Sequence, residues 1–458
     1  MQSFSAYSVR IIQHDCSFQE TVEIYRAAVD FFIDVTNQRW DAVSEIKRAT
    51  ARMKAVEELT VVTARRPVVS YDFASADSRF YKMPCYLRRA AIMDAIGKVS
   101  SYRSNLANWE TADPKTRGRM PGFPTAGYVY PVLYRENMYE GALGEYTARI
   151  KVFIRNTWDW ITVSLRKSDA DYLNRHCRPF DGGSGIMQSR RLGAPTLRKR
   201  YKKWYLDFPV EEKVALPKPD AVSQVIIAVD LGIHNACTCC AMTEDGTVIG
   251  REFLSLPKEN DCLKHAVGRI IKAQQHGAKR TPRLWAYANG INDDIAVKTA
   301  RFIMRTAVRY NADVIVMEHL DTAGRKRGSK KQRLHLWKCQ YVQAMVTQKA
   351  HRNGIRISRV CAWNTSRLAY DGSGRVKRGN ESECTNGNYS MCEFSTGKIY
   401  HCDLNASYNI GARYFVRELT KSLPERTRLR LEAKVPAVRT RSTCTLSTLI
   451  NLNAELAA

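Results

Sequence analysis

Hydrophobic and polar positions along the first hundred residues alternate between two periods. "YSVRIIQ", residues 7–13, has the two-residue alternation of a strand. "SFQETVEIYRAAVDFFIDVTNQRW", residues 17–40, spaces its apolar positions as a helix does, and Ser17 with Glu20 three residues on predicts a capping box at its start. A further helix is predicted over "YLRRAAIMDAIGKVSSYRSNLANWE", where Arg88, Arg89, Lys98 and Arg103 flank an apolar face and either line a nucleic acid or are solvated. From about residue 120, Gly and Pro punctuate segments such as "EYTARIKVFI" and "DWITVSL", which fit antiparallel strands. "RRLGAPTLRKRYKKWYLDFPV" follows, and the linker-like "EEKVALPKPDAV" sets a domain boundary near residue 222.

Beyond that boundary the pattern begins again with "SQVIIAVD", an apolar strand that ends on Asp230. A strand "ACTCCAMT", an Asp245-Gly246 turn and a strand "TVIGREFLSL" complete a meander. "DDIAVKTARFIMRTAVRY" places Ala296, Ala300, Ile303 and Ala307 on one helical face and Lys298, Arg301, Arg305 and Arg309 on another. The next strand, "NADVIVMEHL", again ends on an acid, Glu318, and 318 − 230 = 88 residues separate the two. A helix in "LHLWKCQYVQAMVTQKAHRNG", a strand "IRISRVCA" and a polar loop near 364–398 lead to "YHCDLNASYNIGARYFVREL", a helix with Asp403 at its start, 403 − 318 = 85 residues on. The basic stretch "RTRLRLEAKVPAVRTRSTC" near the end predicts a helix and tail with no assigned role.

The 458 residues are ample for several domains, and a hydrophobic content of 44% argues against disorder. Apolar runs break before the roughly 20 residues that span a bilayer, and "MQSFSAYSVRIIQHD" lacks a signal-peptide pattern, so a cytoplasmic, nucleoid-associated protein without a membrane partner is expected. Thirteen scattered cysteines predict reduced thiols; "CTCC", on a strand whose alternate side chains face opposite ways, predicts small buried thiols and not a metal cluster. A formal net charge of +27 points to a polyanionic partner, with nucleic acid first and ribosome association or a merely basic surface as the alternative. Arg198, Lys199, Arg200, Lys202 and Lys203, interleaved with Tyr201, Trp204 and Tyr205, offer cations for phosphates and rings for stacking, although a strand with one wet face has the same pattern. Arg325, Lys326 and Arg327, in "GRKRGSKKQR" soon after Glu318, are candidate phosphate contacts in what is equally a solvated loop.

A carboxylate at the end of a buried strand is costly without a partner or a metal. Taken singly, Asp230 could form a turn, Glu318 could pair with an arginine and Asp403 could cap a helix. The order of elements is that of an RNase H-like fold, whose first and fourth strands are neighbours, so that three carboxylates converge. Such a site suits magnesium, a hard, oxygen-seeking ion, and two magnesium ions about 4 Å apart can activate a water and stabilise the leaving oxygen of a phosphodiester.

The blocks "AVDLGIHN", "VIVMEHL" and "CDLNASYNIGAR" resemble the three RuvC motifs of TnpB transposon-encoded nucleases and of the compact type V CRISPR effectors, over about residues 222–416. The resemblance implies an α+β multidomain protein: a wedge β-barrel with a helical recognition insertion in 1–222, binding guide RNA and target, and a RuvC-like, RNase H-like nuclease domain in 223–458 with a nucleic-acid-binding loop near 364–398. It implies an RNA-guided endonuclease of double-stranded target DNA, acting as monomer or homodimer on one guide, with Asp230, Glu318 and Asp403 as catalytic metal ligands to two Mg2+ ions. Arg367 in "NTSR" matches a family position near the site. The family's zinc ribbon uses two Cys-x-x-Cys pairs. Here the first is absent and Cys384, Cys392 and Cys402 lack the spacing, so no zinc site is expected. A guide-independent RuvC-like nuclease and an RNA-guided repressor are the alternatives.

Overall fold

In the computed structural model the described residues are 2–114, 117–134, 136–176, 190–214, 216, 224–232, 236–320, 338–379, 381 and 390–457. The chain forms two compact units, 2–213 and 214–458. The expected boundary near 222 lies outside the described residues.

The first unit is an antiparallel sheet with a helical segment between its strands. β1 (Gln2–Gln13) pairs with β4 (Thr157–Leu165) on one side and β7 (Lys203–Lys213) on the other; β2 (Tyr139–Ala142) and β3 (Thr147–Ile154) extend the β4 side, and β5 (Arg190–Leu192) and β6 (Thr196–Arg200) both pair with β7. Between β1 and β2, α1 (Gln19–Gln38) packs Val22, Tyr25, Val29, Phe32 and Ile33 into a core shared with α3 (Cys85–Thr111), while α2 (Ala49–Thr60) contributes Val56; α4 (Lys167–His176) follows β4. Helical spacing of these apolar residues is what makes one face buriable. The expected capping box does not form. The cap position is Phe18, itself in helical backbone geometry with no side-chain bond, and the Ser17 hydroxyl accepts instead from the Gln19 amide at 3.3 Å. Arg88 and Arg89 both pair with Glu57 on α2, and Arg103 donates to Asn37 on α1, so these helix cations are engaged within the unit.

The second unit is built on the five-stranded sheet β10-β9-β8-β11-β12. β8 (Val225–Asp230), β9 (Cys237–Thr243) and β10 (Val248–Leu254) form the antiparallel meander, while β11 (Val314–His319) lies parallel to both β8 and β12 (Arg356–Cys361). The first and fourth strands are therefore neighbours. Two helices precede β11: α5 (Pro257–Gln275), which the sequence reading did not anticipate, and α6 (Pro282–Arg309), which starts 293 − 282 = 11 residues before the predicted "DDIAV". α7 (Cys339–Arg352) joins β11 to β12, a short hairpin pairs β13 (Met391–Glu393) with β14 (Ile399–His401), and α8 (Cys402–Ser422) follows. The tail folds into α9 (Glu425–Lys434) and α10 (Leu446–Ala457).

Alternation along the strands assigns the two faces. Ile227, Val229, Ile315 and Met317 pack against α6 and α7, whereas Ile226, Ala228, Val314 and Val316 pack against α8 and α10. Cys237 and Cys239 are buried on the first face and Cys240 on the second, as expected for small apolar thiols. α8 lies so close to the sheet that a Cβ at Gly411 would sit 3.0 Å from Met242 Sδ and 3.3 Å from Ala228 Cβ. Among the described residues no helix is long and apolar enough to cross a membrane.

Candidate active site

The same alternation decides where the acids go. Asp230 shares parity with Ile226 and Ala228, and Glu318 with Val314 and Val316, so both side chains leave the sheet on the face covered by α8. In the β8–β11 register Val229 opposes Met317, and Asp230 and Glu318 are the next residues of their strands. Asp403 is the second residue of α8, whose N-terminus follows β14 directly; His401 Nδ1 accepts from its amide.

Electrostatics report the convergence. The Asp230 carboxyl is pushed well above the ordinary carboxylate range, first by burial and then by the negative fields of Glu318 and Asp403; Arg378 opposes them. Burial also raises Glu318, which is 8% exposed, while a hydrogen bond from Thr365 and the charge of Arg413 hold it down. The Thr365 hydroxyl donates to Glu318 Oε1 at 2.5 Å, and Gln343 Nε2 on α7 donates to the Glu318 carbonyl at 2.8 Å. The acid is thus fixed by side chain and by backbone.

Three buried polar residues on α8, at i, i+4 and i+8, carry the loop that supplies Thr365. Asn405 Nδ2 donates to the Leu368 carbonyl and its Oδ1 accepts from the Tyr370 amide, both at 2.8 Å. Asn409 Nδ2 donates to the Thr365 and Leu368 carbonyls, and its Oδ1 accepts from the Leu446 amide of the tail. Arg413 donates to the carbonyls of Cys361, Trp363, Ser442 and Cys444. These residues had no assigned role in the sequence; their four-residue spacing within "DLNASYNIGAR" was the available signal. The tail is therefore part of the site's support, since Ser447 also donates its amide to the Tyr370 carbonyl at 2.8 Å.

The basic candidates divide. Arg198 and Arg200 both pair with Asp207, and Lys199 bonds Gln19 and lies over the Trp204 ring. Trp204 is 8% exposed and stands edge-on to Phe18, so its ring belongs to the core of the first unit. Tyr201, 84% exposed at the β6–β7 turn just before exposed Lys202 and Lys203, presents the exposed ring of that stretch. Arg367 is exposed on the turn next to Thr365. Arg325, Lys326, Arg327 and Cys384 lie outside the described residues. Cys392 and Cys402 are buried; a hydrogen bond from Cys392, and after it Arg378, lowers the Cys402 thiol to about 7. Among the described residues no three His, Cys, Asp or Glu side chains already stand as a closed metal site.

Fold and site together define a two-unit α+β protein with a trio of strand-end and helix-start carboxylates. A model of the Aq_aa04 family matches residues 5–154. The chain is 29% identical over 124 residues to the uncharacterized protein aq_aa04 of Aquifex aeolicus, covering 25% of this chain and 68% of that one. It is 25% identical over 248 residues to the TnpB-like protein aq_aa05 of the same organism, covering 48% and 76% respectively. A solved Cas12f1 complex with single-guide RNA and target DNA is similar at 15% identity and a TM-score of 0.32, covering 89% of this chain and 98% of that one. A C2c1 ternary complex is similar at 10% and 0.46, covering 88% and 65%. The resemblance carried by the three sequence blocks agrees with the similarity to the TnpB-like protein aq_aa05.

Proposed function

We propose that this chain is an RNA-guided DNA endonuclease whose second unit is an RNase H-like, RuvC-type nuclease domain with Asp230, Glu318 and Asp403 at its centre. The first unit is then the wedge barrel with a helical insertion that binds guide RNA and target DNA. The observation that carries this reading is the shared parity and adjacent register of Asp230 and Glu318 on the face where α8 begins with Asp403. A carboxylate that burial and two neighbouring acids all push up, as at Asp230, is arranged against its own stability, which structural acids seldom are.

The donor set fits a divalent cation. It is made of hard oxygen ligands, and a cation would offset the negative fields of Glu318 and Asp403 at Asp230. Asp230, Glu318 and Asp403 would hold magnesium, which when bound supplies an activated water and charge stabilisation at the leaving oxygen of a phosphodiester. The chain's own contribution is orientation. Thr365 and Gln343 fix Glu318, and the α8 stripe fixes Thr365. Guide pairing would select the sequence, leaving the protein to read backbone and a short flanking motif.

The test is to purify the chain with the RNA that accompanies it and to assay cleavage of DNA complementary to that RNA, with magnesium and with chelator. Asp230→Ala should abolish cleavage while leaving RNA and DNA retention unchanged. Cleavage that survives in Asp230→Ala, or that ignores the RNA, overturns the assignment.

A further inference from the structure

The turn 362–367 beside the carboxylates is fixed from beneath. Arg413 Nη1 donates to the carbonyls of Cys361 at 2.6 Å and Trp363 at 2.8 Å, and Asn409 Nδ2 donates to that of Thr365 at 2.9 Å. Asn364 has a left-handed backbone, φ 64°, a conformation that non-glycine residues adopt mostly where their surroundings over-determine it. On this pinned turn stands Trp363, with 71% of its surface exposed. A large ring left in water on a rigid backbone is unusual, because burying it is the ordinary way to stabilise a fold. Arg367, four residues on, is exposed on the same turn. Thr365, between them, is buried and points the other way, onto Glu318.

An indole and a guanidinium displayed together, two residues either side of the hydroxyl that holds an active-site acid, match the chemistry of an unpaired nucleotide. Every base has a π-face that stacks on an aromatic ring regardless of sequence, and the guanidinium suits the adjoining phosphate. Because the backbone is already ordered, less freedom is lost when a base docks. Tyr201, an exposed ring in another candidate nucleic-acid stretch, belongs to the first unit.

We propose that Trp363 is a stacking platform for one base of a single nucleic-acid strand at the nuclease site, with Arg367 contacting its phosphate. Which strand is cut rests on the function proposed above; the stacking does not. The experiment uses the full chain with its co-purified RNA and single-stranded oligodeoxynucleotides carrying one abasic residue, moved stepwise along the strand, and a matching set carrying 5-iodouracil for photo-crosslinking. One abasic position should weaken binding to the wild type about tenfold. Trp363→Ala should show the same loss on the intact strand and no further loss at that position, Trp363→Phe should recover part of it, and the crosslinked peptide should contain residues 361–367. Crosslinks elsewhere together with an undiminished abasic effect in Trp363→Ala overturn the proposal, as does a failure of the wild-type complex to bind any single strand. A strand that crosslinks to Trp363 but is not cut in magnesium upholds the platform and removes the nuclease reading.

Discussion

Replacing Thr365 by Val preserves the shape of a side chain that is 3% exposed and deletes one hydroxyl. That hydroxyl has one proton, and the shorter, charge-assisted contact to the Glu318 carboxylate takes it over the Ala362 carbonyl at 3.0 Å. A hydrogen bond to a buried charged group contributes about 1.5–3 kcal/mol, which sets the expected loss at neutral pH. Burial already holds the Glu318 carboxyl above its usual 4.5, and the hydroxyl opposes that. A carboxyl raised by folding contributes stability that is present below its unfolded value and lost as pH rises through the folded one. Removing the hydroxyl raises the group further, so the larger part of the Thr365→Val penalty belongs to the ionised state and should vanish below about pH 4.5. Hydrogen exchange of the β11 amides, measured with chelator present so that no cation compensates, reads this locally and avoids treating a two-unit chain as two-state. Equal destabilisation at neutral and acid pH would refute the claim that Thr365 holds an ionised Glu318.

Two further substitutions probe the supports. Gly411→Ala should destabilise the second unit by about 1–3 kcal/mol through its clash with Met242, seen as a lowered unfolding midpoint, and shortening Met242 to Ala in the same chain should recover part of the loss because the two contact directly. In the first unit Tyr25→Phe removes the hydroxyl that donates to Asp94 at 2.7 Å and should cost about 1–2 kcal/mol at neutral pH. Asp94 is raised by burial, so that cost should shrink as pH falls toward the ordinary Asp value of 3.8, in denaturant titrations of the first unit's transition.

What the sequence made legible was local. Three uninterrupted apolar runs, each four to six residues and each ending in an acid or a turn, identify β8, β9 and β11, because a strand buried on both faces needs no partner to be recognised. Asp230 and Glu318 stood out as the acids that end two of those runs, and Asp403 as the acid at the start of a later helix. α5 was missed because its buried face consists of little more than Ala266 and Ile270 among exposed polar residues. Trp204 was taken for a stacking ring because alternation alone does not say which face of β7 is wet; Phe18, 186 residues earlier, closes over it. The roles of Asn405, Asn409 and Arg413 were out of reach for the same reason: their partners lie 29 to 52 residues away, and a buried amide is explained only once its acceptors are in place.

The union of tail and loop through Arg413 makes the nuclease unit intolerant of trimming. Residues 442–447 supply two of the four carbonyls that satisfy a buried guanidinium, and an amide that meets Tyr370, so deleting them strands a charge beneath the turn that orients Glu318. Anyone seeking a smaller version of this molecule would find its economy elsewhere, for the stretch that looks most like an appendage in the sequence is the keystone of the arch over the carboxylates.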